Sequence, residues 1–495
     1  MDISGSRIIL VALATVILTA CASQAPQLSA QHSAAGSPAE TSSNQVLRRS
    51  AAVAQGTILL TRSFQVDPIN RPVSNLLSLS SYALKSATGF LQRVVIGTAQ
   101  FPALEAQAVP AVTYDRPMNL AQWEADLDRI SGRKSSRGTI EFFVDGEAYF
   151  TRLERAIADA RRSIDIRTYI FDNDDYAVSL ADLLKQRSRD VDIRVMVDGL
   201  GNLMATQTDP QSMAGDFATP LSIEQYLEAN SKVRMRTLSN PWLTGDHTKT
   251  TIIDREVAFV GGMNIGREYR YDWHDLMMEI HGPIVDTLQF DTDKAWAKAG
   301  FFGDIAHFFR FLAGPGKHAT SQGYPVRALY TRNFDSQIYR AQLEAIRRAR
   351  SYILIENGYF SDDTTLYELA RARRRGVDVR VILPAAGNHG SHDASNAVAI
   401  NKMLRNGIRV YRYPGMSHIK AAVIDGWASV GTANFDKLSL QVNKEINLAT
   451  SHKPAVDALL ARVFLPDLAE SVELTETVTV ALHERLLEVV VDEVL

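Results

Sequence analysis

Two stretches of the sequence decide the fold: HTKTTIIDREVAFVGGMN at residues 247–264 and HIKAAVIDGWASVGTAN at residues 418–434. Each begins with a His-x-Lys-x4-Asp motif and continues through an apolar run to Gly-x-x-Asn. The pattern of β-branched residues predicts a strand, a tight turn and a second strand in both copies. Because the motif occurs twice, it indicates a duplicated structure rather than one incidental surface histidine.

The segments that precede the two motifs also repeat. A helix over Leu153–Arg161 and a strand over Ser163–Phe171 are predicted, and the same order recurs at Leu343–Arg350 and Tyr352–Phe360. A further helix and strand follow in each copy, at Leu180–Arg187 with Asp192–Val197 and at Leu366–Arg374 with Asp378–Leu383. This alternation predicts an α/β fold of two similar α-β-α lobes from an internal repeat, related by a pseudo-twofold axis. We expect one active site between the lobes, since clefts between domains commonly hold sites.

The motif histidines and lysines have the chemistry of a phosphodiester transfer. Side chains two residues apart on a strand share a face, so His247 lies beside Lys249, and His418 lies beside Lys420. One imidazole can attack phosphorus while the other protonates the leaving alkoxide, and the lysines can bind the phosphate oxygens. We therefore expect the two histidines to form one catalytic site.

The motif aspartates, Asp254 and Asp425, complete the candidate catalytic set. Each lies an odd number of residues from its His and Lys, so strand parity turns its side chain away from the catalytic face. We therefore expect both aspartates to brace the turns. The pair Asp425-Gly426 suits a tight turn and absorbs the one residue by which the second copy is shorter.

Four further residues are candidates for the site. Asn264 and Asn434 close the two Gly-x-x-Asn sequences and can donate hydrogen bonds to the substrate phosphate. Eleven residues after each asparagine stands an acid, Asp275 and Glu445. Each acid can accept a hydrogen bond from an imidazole nitrogen and so fix the ring's tautomer and orientation.

The composition bounds the class of partner. The chain has 53 basic and 56 acidic residues, a formal net charge of −3. A nucleic-acid-binding protein usually has a basic surface that releases counterions from the phosphate backbone. The slightly acidic net charge argues against a nucleic-acid-binding protein, and no nucleic acid is expected as a partner.

The N-terminus carries an export pattern. Arg7 precedes an uncharged apolar run over Ile8–Ala20, and Cys21, the chain's only cysteine, follows it. The run is too short to span a bilayer, and the pattern resembles a bacterial lipoprotein signal. The resemblance implies lipidation of Cys21 and a membrane anchor. Ala22 after the cysteine favours, by the same resemblance, the periplasmic face of the outer membrane.

A chain of 495 residues exceeds the usual size of one core, and its composition divides it into segments. Residues 73–101 are apolar but interrupted by Lys85 and Arg93, which favours a helix packed on the catalytic body over one lying on a membrane. The predicted segments are a signal peptide (1–20), a flexible tether (21–55), a partly helical N-terminal extension (56–137), two lobes (138–315 and 316–470) and a C-terminal helix (471–495).

Residues around the motifs extend the pattern into that of a known family. Gly261–Gly266 is followed by Trp273-His274-Asp275, and Asn434–Leu440 is followed by Asn443 and Glu445. Over residues 138–470 the sequence resembles the phospholipase D superfamily and, within it, bacterial cardiolipin synthase-like members. The resemblance implies a metal-independent transfer in two steps through a phosphohistidine, so neither a metal nor another cofactor is expected. It also implies that His247 is the nucleophile and His418 the general acid, then base; the sequence alone does not distinguish the two roles.

The leading hypothesis is a membrane-tethered phosphatidyltransferase or phospholipase D, whose partners are a glycerophospholipid and an alcohol or water. The loop Thr244-Gly245-Asp246 departs from the basic residue and Asn that the family often has there, which leaves the donor and acceptor lipids open. A nuclease of the same superfamily and a catalytically retired envelope binding protein are the alternatives. The oligomeric state is also open.

Overall fold

The computed structural model describes residues 53–205, 212–213, 217–239, 244–316, 322–387 and 390–480. The predicted signal peptide, Cys21 and most of the predicted tether lie outside the described residues, as do residues 481–495. Residues 53–55, assigned to the tether from the sequence, belong to a helix over 53–61.

The described strands form one continuous mixed sheet. Its central contact is the antiparallel pair β1 and β8, in which Arg137 lies opposite Pro325. The strands are β1 Ser136–Val144, β2 Ser163–Thr168, β3 Asp192–Asp198, β4 Arg234–Leu238, β5 Thr250–Ile253, β6 Val257–Gly261, β7 Leu276–His281, β8 Tyr324–Arg332, β9 Asp335–Ser336, β10 Tyr352–Asn357, β11 Asp378–Pro384, β12 Arg409–Tyr413, β13 Lys420–Ile424, β14 Trp427–Gly431, β15 Glu445–Thr450 and β16 Val472–Leu474.

The sheet repeats itself on the two sides of the β1–β8 contact. Outward from β1 the order is β7, β6, β5, β2, β3, β4, and outward from β8 it is β15, β14, β13, β10, β11, β12, with β16 at the edge. In both lobes the outer three of these strands run parallel and the others antiparallel. The predicted fold of two similar α/β lobes is therefore confirmed.

The helices cover the outer faces of the two lobes. Equivalent helices begin with an aspartate cap, because Asp174 accepts a hydrogen bond from Ala177 N at 2.7 Å and Asp362 accepts one from Thr365 N at 2.7 Å. The α-helices are Asp67–Asn70, Pro72–Val95, Phe101–Glu105, Leu120–Ser131, Gly146–Asp159, Asp175–Arg187, Gly199–Ala205, Ile223–Glu228, Ile284–Lys298, Gly303–Ala313, Gln337–Arg348, Asp363–Arg374, Gly390–Arg405, Lys453–Leu459 and Leu465–Glu470. Short π-helical turns lie at Arg62–Val66, Ile96–Gln100, Glu268–Asp272, Leu438–Val442 and Leu460–Phe464.

A core shared by both lobes brings the two motif hairpins together. Ile252 and Val260 of the first hairpin belong to the same buried apolar cluster as Val423 and Val430 of the second. Each lobe also has its own core between the sheet and its outer helices. The shared core fixes the two hairpins relative to each other, and both histidines precede the first strand of their hairpins.

The structure corrects the assignment of the motif aspartates to the catalytic set. Asp254 has a positive φ of 54°, and its carboxylate accepts hydrogen bonds from the backbone N–H groups of Arg161, Arg162 and Ser163 at 2.6–2.9 Å. Asp425, with a φ of 49°, likewise accepts hydrogen bonds from the backbone at the start of β10. Both lie at the turn end of the hairpin, away from the histidines, and tie that turn to a neighbouring strand.

The two ends of the described chain pack onto the lobes. Lys85, on the helix Pro72–Val95, donates hydrogen bonds to the carbonyl oxygens of Arg332, at 2.9 Å, and Gln441. Within the described residues no helix is long and apolar enough to cross a membrane. The predicted helix over 471–495 is wrong at Val472–Leu474, which pair with β12 because that edge strand offers unpaired backbone groups.

Asp425→Ala should destabilise the protein without removing a catalytic group. The carboxylate accepts hydrogen bonds from four backbone N–H groups at 2.8–3.1 Å, so we expect the free energy of unfolding in urea to fall by about 2–4 kcal/mol. Asp457→Ala, at an exposed ion pair with Lys453, is the control and should change it by less than about 0.5 kcal/mol. Loss of phosphodiester turnover with unchanged stability would return Asp425 to the catalytic set.

Candidate active site

Each histidine lies in a segment that pairs with the opposite lobe. His247 N donates a hydrogen bond to Lys444 O at 2.9 Å, and Lys444 N donates to Gly245 O at 3.0 Å. In the same way His418 N donates to His274 O at 2.7 Å, and His274 N donates to Met416 O at 3.0 Å. These short parallel bridges place both histidines at the contact between the lobes.

The histidine–carboxylate pairs are exchanged between the lobes. His247 Nδ1, of the first lobe, lies 3.0 and 3.1 Å from the two carboxylate oxygens of Glu445, of the second. His418 Nδ1, of the second lobe, lies 2.7 Å from Asp275 Oδ2, of the first. An ionised carboxylate only accepts, so with the acid ionised each Nδ1 carries the proton and each Nε2 is available for chemistry. The predicted orienting acids thus each hold the imidazole of the other lobe.

In the Gly-x-x-Asn sequences, the residue after the glycine is Gly262 in the first lobe and Thr432 in the second, and this difference has a structural reason. A Cβ atom on Gly262 would lie 2.1 Å from Asp275 Oδ1, so only glycine lets that acid reach its position. The equivalent Thr432 donates a hydrogen bond from its hydroxyl to Glu445. The two carboxylates are therefore positioned by different means, one by space and the other by a hydrogen bond.

The two lysines make the site electropositive. Lys249 Nζ donates to His247 O at 3.0 Å, and Lys420 Nζ donates to His418 O. Both side chains are buried, and burial lowers the pKa of Lys249 to about 7 and that of Lys420 to about 8. An anionic phosphate would favour their charged forms, so the site is suited to a phosphodiester.

Both imidazoles are held neutral when the site is empty. Burial and then the charges of Lys249 and Lys420 lower the pKa of His247 well below its ordinary value. Burial and then Lys420 lower the pKa of His418 to about 3, although the Asp275 carboxylate raises it. Burial also raises the pKa of Glu445 to about 8. A neutral imidazole is the form that acts as a nucleophile.

The two asparagines lie buried beside this centre. Asn264 Oδ1 accepts a hydrogen bond from Ile170 N at 3.1 Å. Asn434 Oδ1 has no hydrogen-bond partner among the residues that the structure describes. Both amides stay candidates for binding the phosphate oxygens.

Sequence reasoning missed the aromatic residues around the histidines. The ring of Tyr169 lies 4.8 Å from that of His247 in an edge-on arrangement. The ring of His418 lies 5.2 Å from Trp273 and 6.0 Å from Tyr359. The internal repeat gave no signal for the tyrosines, because Gly358 occupies the position equivalent to Tyr169. Only the tertiary structure brings these rings to the site.

The loop that departs from the family pattern is also part of the site. Asp246 is buried, pairs with Arg167 Nη2 at 2.7 Å and with Lys444 Nζ at 3.1 Å, and its N–H donates to Asp198 Oδ2 at 2.8 Å. Although burial opposes ionisation, the charges of Arg167 and Lys444 hold the pKa of Asp246 well below its usual range. This network fixes the residue before His247 to both lobes.

One group within the described residues has ligand atoms close enough for a metal: His274, Glu356 and Asp467, with atoms within 4.8 Å of one another. His274 Nδ1 lies 2.7 Å from Asp145 and its Nε2 lies 3.2 Å from Asp467. Burial lowers the pKa of His274, but its contacts with the carboxylates of Asp145 and Asp467 outweigh it and raise the pKa to about 10. The imidazolium is therefore itself the cation of this cluster, which fits a structural ion pair.

The family assignment follows from comparison with known proteins. The family model described as cardiolipin synthase, PLD-like domain, matches residues 153–296 and 343–464, one range in each lobe. The chain belongs to this family. The predicted phospholipase D superfamily resemblance and the prediction of an enzyme of that superfamily are confirmed.

Two relatives of the chain are named cardiolipin synthases, in agreement with the family model. The chain is 28% identical over 351 residues to a cardiolipin synthase of Listeria monocytogenes serotype 4a (strain HCC23), covering 68% of this chain and 70% of that protein. It is 29% identical over 355 residues to cardiolipin synthase A of Pseudomonas aeruginosa (strain LESB58), covering 68% of each. A phosphatidylserine synthase of Haemophilus influenzae Rd KW20 has a TM-score of 0.58 over 76% of this chain and 99% of that chain, at 11% identity. That likeness shows the fold alone.

Asp275→Asn should reduce phosphodiester turnover by about 10²- to 10⁴-fold, because the amide no longer fixes the tautomer of His418. Losing the carboxylate charge also lowers the pKa of His418, so the limb of the pH–rate profile that falls as this acid deprotonates should move to lower pH. Steady-state kinetics across pH measure both effects.

Glu147→Gln, at an exposed acid of the same lobe that pairs with Arg270, is the control for this variant and should retain turnover. A loss of turnover in Asp275→Asn with an unshifted pH profile would indicate a merely structural role for the carboxylate.

Proposed function

We propose that the chain is a phospholipase D-type phosphatidyltransferase or hydrolase that acts on a glycerophospholipid through a phosphohistidine intermediate. The observation that carries the proposal is the pair of histidines at the contact between the lobes, each oriented by a carboxylate of the opposite lobe. Two buried lysines accompany them and favour an anionic substrate. The chain is similar to cardiolipin synthases, whose name supplies the lipid class.

The proposed first step forms a covalent intermediate. The bound phosphate favours a His418 imidazolium, protonated on Nε2 as well as Nδ1. Nε2 of His247 then attacks phosphorus, the bond from phosphorus to the leaving alkoxide breaks, and His418 Nε2 donates its proton to that alkoxide. Glu445 stabilises the charge that develops on the His247 ring. Lys249 and Lys420 stabilise the charge on the phosphate oxygens. The product of this step is phosphatidyl-His247 and a free alcohol.

The proposed second step reverses the roles. His418 takes the proton from an incoming alcohol or water, whose oxygen attacks phosphorus while the phosphorus–nitrogen bond to His247 breaks. An alcohol acceptor yields a new phospholipid, and water yields phosphatidic acid. Asp275 supports His418 in both steps, because its carboxylate stabilises the imidazolium that forms.

Labelled phosphatidylglycerol in mixed vesicles should yield cardiolipin or phosphatidic acid with the full-length wild-type protein, as measured by product chromatography. Reactions quenched in denaturant at mildly alkaline pH, where the phosphorus–nitrogen bond survives, should carry the phosphatidyl group on His247, which mass spectrometry of the digest locates. His247→Ala should abolish turnover, a loss of at least about 10³-fold.

Folded wild-type protein that turns over no phospholipid would contradict this function. Degradation of plasmid DNA that disappears in His247→Ala would instead support the nuclease alternative. Label found on His418 would keep the function but exchange the two histidine roles.

Lipidation of Cys21 and a position at the periplasmic face of the outer membrane complete the proposal. The apolar run over Ile8–Ala20 ends at this single cysteine, and an acylated N-terminus would hold the enzyme at its lipid substrate.

Cys21→Ser should lose the acyl chains, because the serine hydroxyl cannot form the thioether. Mass spectrometry of the N-terminal peptide and fractionation of inner and outer membranes measure the outcome. An identical lipid mass on both proteins would rule out modification at this residue.

A further inference from the structure

The helix Pro72–Val95 has its polarity reversed relative to an ordinary surface helix. Its only charged side chains, Lys85 and Arg93, face the protein, where Lys85 donates to backbone carbonyls and Arg93 lies 3.6 Å from Asp363. Throughout this described helix, no exposed side chain is charged. Apart from Gln92, its exposed large side chains are apolar: Val73, Leu76, Leu77, Leu84, Phe90, Leu91, Val94 and Val95. A helix facing water has the opposite arrangement.

The helix Gly303–Ala313 has the same reversed polarity. His307 Nδ1 lies 3.2 Å from Lys294 O, and Arg310 lies 2.8 Å from Asp293, so both side chains are held against the protein. The exposed side chains of this helix and the two residues before it include no charged group among the described residues. The large exposed ones are Phe301, Phe302, Ile305, Phe308, Phe309, Phe311 and Leu312.

The two helices are joined at their first turns. Asp304 accepts hydrogen bonds from the backbone N–H groups of Val73, at 2.9 Å, and Ser74, at 3.2 Å, and from the Ser74 hydroxyl. A Cβ atom on Gly303 would lie 2.9 Å from Arg71 Cγ, so the arginine side chain packs closely here. The two helices therefore meet at these first turns, and we call their exposed apolar side chains together the docking face.

The helix Pro72–Val95, whose outer side belongs to the docking face, borders the active site with its inner side. Arg71, Asn75 and Ser78, from the start of the helix Pro72–Val95, line a cavity together with Asp246 and Lys444. These last two residues directly precede His247 and Glu445 in the chain. A lipid whose headgroup enters the site thus has an apolar surface beside it for its acyl chains.

We propose that the docking face rests in the interfacial layer of a phospholipid bilayer and holds the active site at the membrane surface. This membrane-docking proposal rests on the proposed function, since a lipid substrate explains why the helix that carries the docking face borders the active site. An apolar face this wide and without charged groups matches the acyl boundary better than a protein partner, whose interfaces carry many hydrogen bonds. The predicted acylated Cys21 also lies on the chain segment that leads into these helices.

The chain's only cysteine is Cys21, so a cysteine introduced into full-length Cys21→Ser protein is a single labelling site. Leu84→Cys and Phe309→Cys, labelled with a small fluorophore, should be strongly quenched by vesicles of phosphatidylethanolamine and phosphatidylglycerol with brominated acyl chains. Both positions are exposed, Leu84 by 56% and Phe309 by 65%. The quenching reports contact at that residue, whatever else attaches the chain to the vesicle.

Lys453→Cys is the matched control. Its side chain is 82% exposed, at the start of the helix Lys453–Leu459, which follows β15 at the end opposite Glu445. This position should remain unquenched. Quenching equal to that of the docking face, or no quenching at any position, would overturn the proposal. Self-association in place of vesicle contact would identify a second copy of the chain as the occupant.

A kinetic comparison separates the docking face from the proposed function. Leu84→Glu and Phe309→Glu should each lower turnover of vesicle phosphatidylglycerol by about tenfold or more, and leave turnover of water-dispersed dihexanoyl phosphatidylglycerol unchanged. Equal losses on both substrates would count against docking. Bromolipid quenching at Leu84→Cys and Phe309→Cys, together with a folded wild-type protein that turns over no phospholipid, would keep the docking face and overturn the proposed function.

Discussion

The exchange of histidine–carboxylate pairs between the lobes is the interaction on which the rest of the structure depends. Asp275 and Glu445 are almost completely buried, and a buried carboxylate is costly unless a hydrogen-bond donor meets it. The donor in each case is an imidazole of the other lobe. Each acid also accepts one hydrogen bond within its own lobe, from Leu276 N to Asp275 and from the Thr432 hydroxyl to Glu445, and the imidazole of the other lobe adds to these donors. The contact between the lobes and the orientation of the catalytic rings therefore have the same physical cause.

The empty site is electrostatically poised for an anion. Burial lowers the pKa of Lys249 and Lys420 and, with these lysines, that of both histidines. A phosphate supplies the negative charge that stabilises protonated lysines and a protonated general acid. Perturbed titratable groups of this kind cluster at functional sites. The charged forms that are unfavourable in the free site are thus the ones that an anionic substrate stabilises.

In the N-terminal extension, the helix Pro72–Val95 turns its charged side chains toward the protein and its apolar side chains outward. The sequence predicted a helix packed on the body over residues 73–101, and the structure shows why Lys85 and Arg93 interrupt its apolar run: they anchor it to the second lobe. The apolar residues then face outward, beside the exposed aromatic residues of Gly303–Ala313. Lys85 and Arg93 argue against a membrane-spanning helix. Because both face the protein, they are compatible with a helix whose outer side docks on a membrane.

The sequence by itself determined the repeat, the hairpin in each lobe and the turn-bracing position of Asp254 and Asp425, because strand parity and local spacing act within a few residues. It also singled out Asp275 and Glu445 as ring-orienting acids. Only the tertiary structure decided that each acid serves the other lobe's histidine, that Tyr169 and Trp273 border the rings, and that Val472–Leu474 add a strand. These depend on how two lobes and a distant edge strand meet in space. Spacing along a chain carries no information about contacts that are made by the packing of a shared core.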